Sequence, residues 1–341
     1  MAGARVFLRH PSSLEHDTGP HPERAARITA IERELAGRDW LGYERLESEP
    51  VERAVLEAVH SGRYVDWIEQ QSSAGSYLDP DTIVGPGSFK AALHGSGGAV
   101  QLVDLLLDGA VTTGFSAHRP PGHHAETSRA MGFCLFNHVA IAARYALERR
   151  GLERVLIFDW DVHHGNGTND IFYSSREVLY ISIHQSPLYP GTGSADDAGS
   201  GEGKGFTINL PVAPGAGDEL FCGLVDHVVV PLALSYQPQL VLLSAGFDAH
   251  REDPLASCLV TEAGFDAMAR AVVAMARELE VSVGAVLEGG YALEPLARSV
   301  ATTLAALAAS PQSPAPDPPP PVLLVTKARE RLARWWPDLA V

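Results

Sequence analysis

The sequence of 341 residues predicts an α/β fold with a single central parallel sheet flanked by helices on both faces. Two observations support this prediction. Short apolar runs alternate along the chain with longer segments of helical periodicity, a pattern typical of a parallel sheet buried on both sides. Polar residues follow these runs directly, as expected where a ligand binds beyond the carboxyl ends of parallel strands.

Five runs are predicted to be buried strands, because each is short and rich in valine, isoleucine or leucine. They cover residues 6–8, 155–158, 178–183, 240–243 and 283–287. The helical spacing of apolar residues predicts six main helices. These cover residues 22–35, 88–107, 137–149, 219–234, 262–279 and 294–308.

Residues 310–322, SPQSPAPDPPPPV, predict an extended connector because so much proline disfavours both helix and sheet. The connector separates a main domain, residues 1–309, from a C-terminal helical appendage, residues 323–341. Trp335 and Trp336 would lie on or near the apolar side of the appendage. We expect it to dock on its own domain or on a neighbouring subunit, so a homo-oligomer is an open alternative.

The composition limits the classes of partner. With 42 acidic and 26 basic residues, the net charge of −16 argues against direct nucleic-acid binding and is compatible with cationic substrates or simply with solubility. Three widely spaced cysteines, Cys134, Cys222 and Cys258, without a CxxC motif favour a reducing compartment over a disulfide framework. We expect no membrane association and a cytoplasmic location, because no long apolar segment or signal-peptide core is visible.

The segment 155–167, VLIFDWDVHHGNG, is the most informative part of the chain. Its apolar run ends at Asp159, Asp161, His163 and His164. Strand alternation would place Asp159, Asp161 and His163 on one face and His164 on the other. A divalent cation would offset the clustered charge, whereas a polar loop without metal is the alternative.

Asp248 follows the run 240–243 and would reach the same edge of the sheet. Together with Asp161 and His163 it would supply three ligands and leave a position for water, which a catalytic metal requires. This set contains more oxygen than most zinc sites, so Fe²⁺ is an alternative occupant to Zn²⁺.

Several further groups suggest hydrolysis of an amide or ester. His123 and His124 could serve as bases near neutral pH, with Asp159 and Asn166 as candidate partners that would give them different charges. Tyr291, after two glycines, could donate a hydrogen bond to a developing oxyanion. The GxSxG motif of serine hydrolases is absent, and no cysteine adjoins a histidine in the sequence.

Six motifs in order resemble the zinc-dependent histone deacetylase superfamily, which includes acetylpolyamine amidohydrolases. They are RPPGHHAE (119–126), GFCLFN (132–137), DWDVHHGNG (159–167), YPGTG (189–193), SAGFDAHREDPL (244–255) and LEGGY (287–291). The resemblance extends over about residues 5–308. It implies the arginase–deacetylase fold, with about eight parallel strands, and makes residues 1–309 the deacetylase domain.

The resemblance also implies roles for individual residues. Asp161, His163 and Asp248 would bind zinc, and Tyr291 would polarise the scissile carbonyl. His124, oriented by Asn166, would be the general base and acid. His123, paired with Asp159, would be its electrostatic companion. The RPPGHHAE motif and Asn166 are similar to the class II branch.

The resemblance assigns Phe133, which follows Gly132, and Tyr189 to the two aromatic walls of an acyl-lysine tunnel. Leu255 stands where a polyamine-selective member carries a glutamate, so one device for binding a distal ammonium is missing. Asp79 and Asp81 are candidate rim carboxylates, with a turn and helix cap as the alternative role. The substrate is therefore expected to be an acyl-lysine protein or peptide, with acetylpolyamines or other small acylated amines as the alternative.

Two structural potassium sites are also implied by the resemblance. The first would use Asp159, Asp161, His163, Ser182 and the backbone of Ile183. The second would involve Phe172, Ser175 and Val178. Two other functions remain open: an arginase-like two-metal hydrolase, which the ligand pattern disfavours, and a non-catalytic acyl-lysine or metabolite binding module.

Overall fold

The computed structural model describes residues 4–310 and 316–340. Among these residues, ten strands form one eight-stranded parallel sheet and a small antiparallel ribbon. They are β1 (Arg5–Arg9), β2 (Glu44–Glu47), β3 (Ser76–Tyr77), β4 (Ile83–Val84), β5 (Thr113–Ser116), β6 (Val155–Asp159), β7 (Val178–Gln185), β8 (Thr207–Val212), β9 (Leu240–Ala245) and β10 (Ser282–Leu287). The main sheet has the order β2-β1-β5-β10-β9-β6-β7-β8, and β3 pairs with β4. This confirms the predicted fold class.

Helices flank both faces of this sheet in the described part of the chain. They are α1 (Ser12–Glu15), α2 (Ala26–Ala36), α3 (Arg53–Leu56), α4 (Gly62–Ala74), α5 (Ser88–Leu107), α6 (His138–Glu148), α7 (Asn166–Ile171), α8 (Asp218–Leu224), α9 (Val230–Tyr236), α10 (Glu262–Glu278), α11 (Leu293–Leu307) and α12 (Leu323–Leu332). A π-helical segment, Val225–Val229, joins α8 to α9. Short 3₁₀ segments cover Asp39–Gly42, Gly201–Gly203 and Pro337–Leu339.

Alternate residues of the central strands serve two separate cores. Leu156 and Phe158 of β6 pack on the side of α2 and α8–α12, whereas Val155 and Ile157 pack on the side of α4, α5 and α6. Every residue of β6, β7 and β9 is buried. This two-sided burial explains why these strands are almost continuously apolar in the sequence.

The structure contains the five predicted strands and six predicted helices, with ends displaced by a few residues. Sequence reasoning missed three strands of the main sheet. The edge strand β2 is mostly exposed, and the other edge strand, β8, contains Pro211. The short β5 contains Gly114. Proline, glycine and exposed charge all weaken the pattern of a buried strand.

One helical stretch of the described residues, Asp218–Tyr236, is long and apolar enough to cross a membrane by length and composition alone. It has 19 residues and a mean hydropathy of 1.4, and 56% of its apolar window is buried. Leu224, Val228 and Leu232 belong to the main core. Core helices of globular proteins have this same composition, so the stretch is weak support for a membrane span.

The C-terminal helix α12 packs on the same core through Val325 and Leu332. Further along, the indole Nε1 of Trp336 donates a 2.8 Å hydrogen bond to the Gly205 carbonyl. Of the predicted connector, residues 311–315 lie outside the described residues, and residues 316–322 form neither helix nor strand. The division of the chain into three parts stays a prediction.

Candidate active site

The predicted cluster lies beyond the carboxyl ends of β6 and β9. The strand β6 ends at Asp159, so strand alternation is the wrong reason for the convergence of Asp161 and His163. Hydrogen bonds from the backbone to carboxylates determine the course of the loop instead. The N–H of Asp161 donates to Asp159 Oδ1 at 3.1 Å, and the N–H of His163 donates to Asp161 Oδ1 at 2.9 Å. His164 lies outside the cluster, with Nδ1 2.7 Å from Thr192 Oγ1.

Asp161, His163 and Asp248 are buried, and each offers one ligand atom within 4.8 Å of the other two. His163 Nδ1 lies 3.1 Å from both Asp161 Oδ1 and Asp248 Oδ2. Glycine is needed at position 289, because a Cβ there would overlap the Asp161 and Asp248 carboxylates. The Gly289 N–H donates to Asp161 Oδ2 at 2.8 Å. The backbone at Gly289 thus packs directly against the two carboxylates of the cluster.

The electrostatics of this cluster suit a cation. Burial and the neighbouring Asp161 raise the pKa of Asp248 to about 7. For Asp161, burial opposes ionisation, but His123 and His163 outweigh it and hold the pKa of Asp161 below its usual value. Two buried carboxylates and one imidazole supply the oxygen and nitrogen atoms that bind Zn²⁺ in proteins. The residues therefore fit a divalent metal ion.

The two adjacent histidines have the partners that the sequence predicted. His123 Nδ1 lies 3.1 Å from Asp159 Oδ2, and His124 Nδ1 lies 2.8 Å from Asn166 Oδ1. Burial alone would lower the pKa of His123, but Asp161 and Asp159 raise it to about 10. Burial and the charge of His123 hold the pKa of His124 well below its usual value. At neutral pH, His123 is cationic and His124 is neutral.

Tyr291 is buried at the end of the segment that follows β10. Burial raises the pKa of its hydroxyl well above the usual value, so the phenol keeps its proton and can donate a hydrogen bond. Asp253 Oδ2 accepts the Tyr291 N–H at 2.7 Å. The guanidinium of Arg27 lies 4.9 Å from the ring centroid. Sequence reasoning missed both Asp253 and Arg27.

Aromatic side chains flank the approach to these groups. The ring of Phe133 meets the edge of Tyr291 with centroids 5.7 Å apart, and Tyr189 meets His124 at 5.2 Å. Tyr189 is 38% exposed, so this wall reaches solvent. Gly132 has φ +56°, and a Cβ there would overlap the His124 ring. Phe133 is itself left-handed, with φ +70°.

The two candidate rim carboxylates differ in their contacts. Asp79 Oδ1 accepts the N–H groups of Asp81 and Thr82 at 3.0 and 2.6 Å, contacts that are typical of a turn residue. The Thr82 hydroxyl in turn accepts the Phe133 N–H at 3.1 Å. Burial and Asp79 raise the pKa of Asp81. Leu255 is half-buried, and its N–H donates to Asp253 Oδ1 at 3.0 Å.

The residues assigned to potassium fall into two separate groups. Ser182 pairs with Asp159 across neighbouring strands, and Ile183 follows it. The second group lies around the amino end of β7, where Phe172 follows α7 and Val178 begins the strand. In that turn the Ser175 N–H donates to the Phe172 carbonyl at 2.9 Å.

Two further buried groups support the site and were not predicted. The Tyr180 hydroxyl donates to Asp159 Oδ2 at 3.1 Å, and Glu288 accepts the N–H of His123 at 3.0 Å. Glu288 lies inside the LEGGY motif, whose polar residue could have drawn attention to it. Nothing in the local sequence around Tyr180 indicates its contact, because it lies inside an apolar strand.

Comparison with known proteins shows a consistent likeness. A model of the histone deacetylase domain matches residues 21–307. A probable deacetylase of Archaeoglobus fulgidus is 40% identical over 290 residues, which cover 84% of this chain and 80% of that protein. A histone deacetylase-like amidohydrolase of Pseudomonas aeruginosa is 36% identical over 292 residues, covering 84% and 75%. The crystal structure of the HDA15 HD domain matches with a TM-score of 0.92 at 35% identity, covering 99% and 97% of the two chains.

Proposed function

Because this chain belongs to the histone deacetylase family, we propose that it is a zinc-dependent hydrolase that removes acetyl or related acyl groups from the ε-amino group of lysine in proteins or peptides. One observation carries the proposal. The buried Asp161–His163–Asp248 cluster lies beside neutral His124. The ring of Tyr189 contacts His124, and that of Phe133 contacts the protonated Tyr291.

Zn²⁺ held by Asp161, His163 and Asp248 would supply Lewis acidity toward the amide carbonyl and lower the pKa of water. The contact with Asn166 Oδ1 places the proton of His124 on Nδ1 and leaves Nε2 to accept a proton from the attacking water. The Tyr291 hydroxyl donates to the carbonyl oxygen as negative charge develops there. His124 then gives the Nε2 proton to the leaving amine as the C–N bond breaks, which yields the carboxylic acid and the free amine.

Tyr291→Phe tests this proposal because it removes only the hydroxyl. We expect turnover of an acetyl-lysine peptide to fall by about 100-fold, the usual scale for one oxyanion donor. Zinc content should stay at about one ion per chain in both proteins. Tyr145→Phe is the matched control, since Tyr145 binds Asp104 outside the site. Zinc-loaded wild-type protein that releases no acyl group would refute the function, and full activity of Tyr291→Phe would refute only the role of Tyr291.

The second candidate function is deacetylation of acetylpolyamines or other small acylated amines. Asp81 favours it. Burial, together with the charges of Asp79 and Asp81, raises the pKa of Tyr189, so both carboxylates lie near this half-exposed side chain, where one of them can bind a distal ammonium. The comparison is of kcat/KM for acetylputrescine and an acetyl-lysine peptide, in the wild type and in Asp81→Asn. A higher value for acetylputrescine that Asp81→Asn selectively lowers would favour the small amine.

The ions are part of the proposal. Fe²⁺ is the alternative metal for the Asp161–His163–Asp248 cluster, and activity after separate loading with Zn²⁺ and Fe²⁺ compares the two. Potassium would stabilise the loop after β6 through the group around Asp159 and Ser182. We expect the melting temperature to be higher in K⁺ than in equal concentrations of tetramethylammonium, and an equal melting temperature would contradict this site.

A further inference from the structure

Glu288 is a buried carboxylate that the proposed mechanism does not use. Its Oε2 accepts the N–H groups of Gly122 and His123 at 2.6 and 3.0 Å. Its Oε1 accepts the Ser244 hydroxyl at 3.1 Å. The residue is 0% exposed. A buried carboxyl group is costly unless it is hydrogen-bonded, so these three contacts explain how it is tolerated.

These contacts join two segments that carry catalytic groups. The histidine loop, residues 119–126, contains His123 and His124. The tyrosine loop, residues 288–292, contains Tyr291. Glu288 belongs to the tyrosine loop through its backbone and binds the histidine loop through its side chain. A shift of one loop against the other would break both N–H contacts at Oε2.

A second connection between the loops runs through Arg27, which donates to the carbonyls of Glu288 and Gly290 in the tyrosine loop. Its Nη1 lies 3.3 Å from Glu23 Oε1. Glu23 Oε2 also accepts a 2.7 Å hydrogen bond from Nη2 of Arg119, the first residue of the histidine loop. Glu23, Arg27 and Arg119 are all fully buried. Among the described residues of this network (Glu23, Arg27, Arg119 and Glu288), only Glu288 binds the backbone of His123.

We propose that Glu288 is a positioning residue that holds the base His124 and the hydrogen-bond donor Tyr291 in a fixed relative geometry by tying the histidine loop to the tyrosine loop. The inference rests on the proposed deacetylase function. Glu288 itself touches neither the predicted metal ligands nor the approach that Phe133 and Tyr189 flank, so its effect passes through the two loops.

Two single variants at position 288 separate the effect of side-chain length from the effect of side-chain charge. Glu288→Gln keeps the length and a carbonyl oxygen for the two N–H groups, and its amide can donate to Ser244. Glu288→Asp keeps the charge but shortens the side chain by one methylene, so the carboxylate no longer reaches the histidine loop. Burial raises the pKa of Glu288 to about 7, so an uncharged side chain is a fair substitute near neutral pH.

We expect kcat for an acetyl-lysine peptide to fall by about ten-fold or more in Glu288→Asp, because a misplacement of about 1 Å is costly to catalysis. The KM should change little, since Glu288 does not contact Phe133 or Tyr189, which flank the approach to the site. Glu288→Gln should retain most of the activity that Glu288→Asp loses. Amide hydrogen exchange of peptides covering residues 120–126 should accelerate in Glu288→Asp and stay slow in Glu288→Gln.

Glu32→Met is the control, because Glu32 pairs with Arg9 away from the site. Wild-type kcat in Glu288→Asp, or a loss in Glu288→Gln as large as that in Glu288→Asp, would overturn the positioning role. Failure of the function itself is distinguishable, since the wild type would then show no turnover while the exchange measurement still tests the contact between the loops.

Discussion

At the scale of single residues, the adjacent histidines of the site have different charges because they have different partners. Asp159 and Asp161 hold His123 in its cationic form, whereas Asn166 offers His124 only a neutral oxygen. The cation on His123 further disfavours a second charge on His124. Burial and the cation on His123 therefore keep His124 neutral, and the amide at position 166 adds no negative charge that would offset them.

Asn166→Asp should reverse this effect. A carboxylate beside Nδ1 stabilises the imidazolium form, so the pKa of His124 rises and less of it is available as a base at low pH. We expect the acidic limb of the kcat/KM profile to move up by about one pH unit. The measurement is a pH–rate profile with an acetyl-lysine peptide.

The chain offers a control for this variant. Asn166 Nδ2 donates to Glu126 Oε1 at 2.9 Å, so a carboxylate at position 166 would also meet a like charge. The double variant Asn166→Asp with Glu126→Gln removes that repulsion and should show the same upward movement. A profile that coincides with the wild type in both variants would show that position 166 does not set the protonation of His124.

At the scale of secondary-structure elements, the C-terminal segment covers an edge of the sheet. The strand β8 ends the main sheet, and Arg331 of α12 donates to the Asn209 carbonyl of β8 at 3.0 Å. Trp336 packs edge-on against Phe206, with centroids 5.4 Å apart, just before β8 begins. Covering an exposed edge removes a surface on which other chains could add strands.

Trp336→Ala should destabilise the protein through this docking. Trp336 is 8% exposed, and removing a buried tryptophan typically costs about 3 kcal/mol of the free energy of unfolding. Urea denaturation measures the change. Leu323→Ala is the control on the same segment, because Leu323 is 69% exposed and should change stability very little. Equal stabilities of the two variants would contradict the docking role of Trp336.

At the scale of the whole molecule, buried neutral histidines make stability depend on pH. His60 Nδ1 donates to the Glu126 carbonyl at 3.0 Å, and its Nε2 accepts the Asn137 N–H at 2.9 Å. His138 Nε2 donates to the Pro120 carbonyl at 3.1 Å. Burial lowers the pKa of both His60 and His138 to about 4. Both histidines therefore support segments around the histidine loop in their uncharged form.

His60 and His138 should each contribute a loss of stability as the pH falls from 6.5 to about 4. In that window the unfolded chain binds protons that folded His60 and His138 do not, so falling pH favours unfolding. Each histidine should cost roughly 2 kcal/mol between pH 7 and pH 5. Urea denaturation at a series of pH values measures this slope. His60→Asn should show a shallower slope, and a slope equal to that of the wild type would contradict the assignment.

Much of the fold and of the candidate site follows from local patterns. Buried strands such as β6 and β9 are recognisable because burial on both faces makes them apolar up to their last two residues. Asp161 and His163 are recognisable because polar groups follow an apolar strand at the edge where parallel strands bind ligands. The pairings of His123 with Asp159 and of His124 with Asn166 were also predicted, and the structure contains both contacts.

The sequence by itself determined the α/β class, the central strands and the residue types of the site, since strand burial and motif chemistry are local properties. Only the tertiary structure decided which distant groups meet. Asp79 Oδ1 accepts the Asp81 N–H, a contact that the local spacing allows but does not require. Glu288 meets a loop 165 residues away, and Arg27 meets Gly290 across 263 residues. Such partners meet only when the sheet assembles, because nothing in the local sequence specifies what a distant buried group will face.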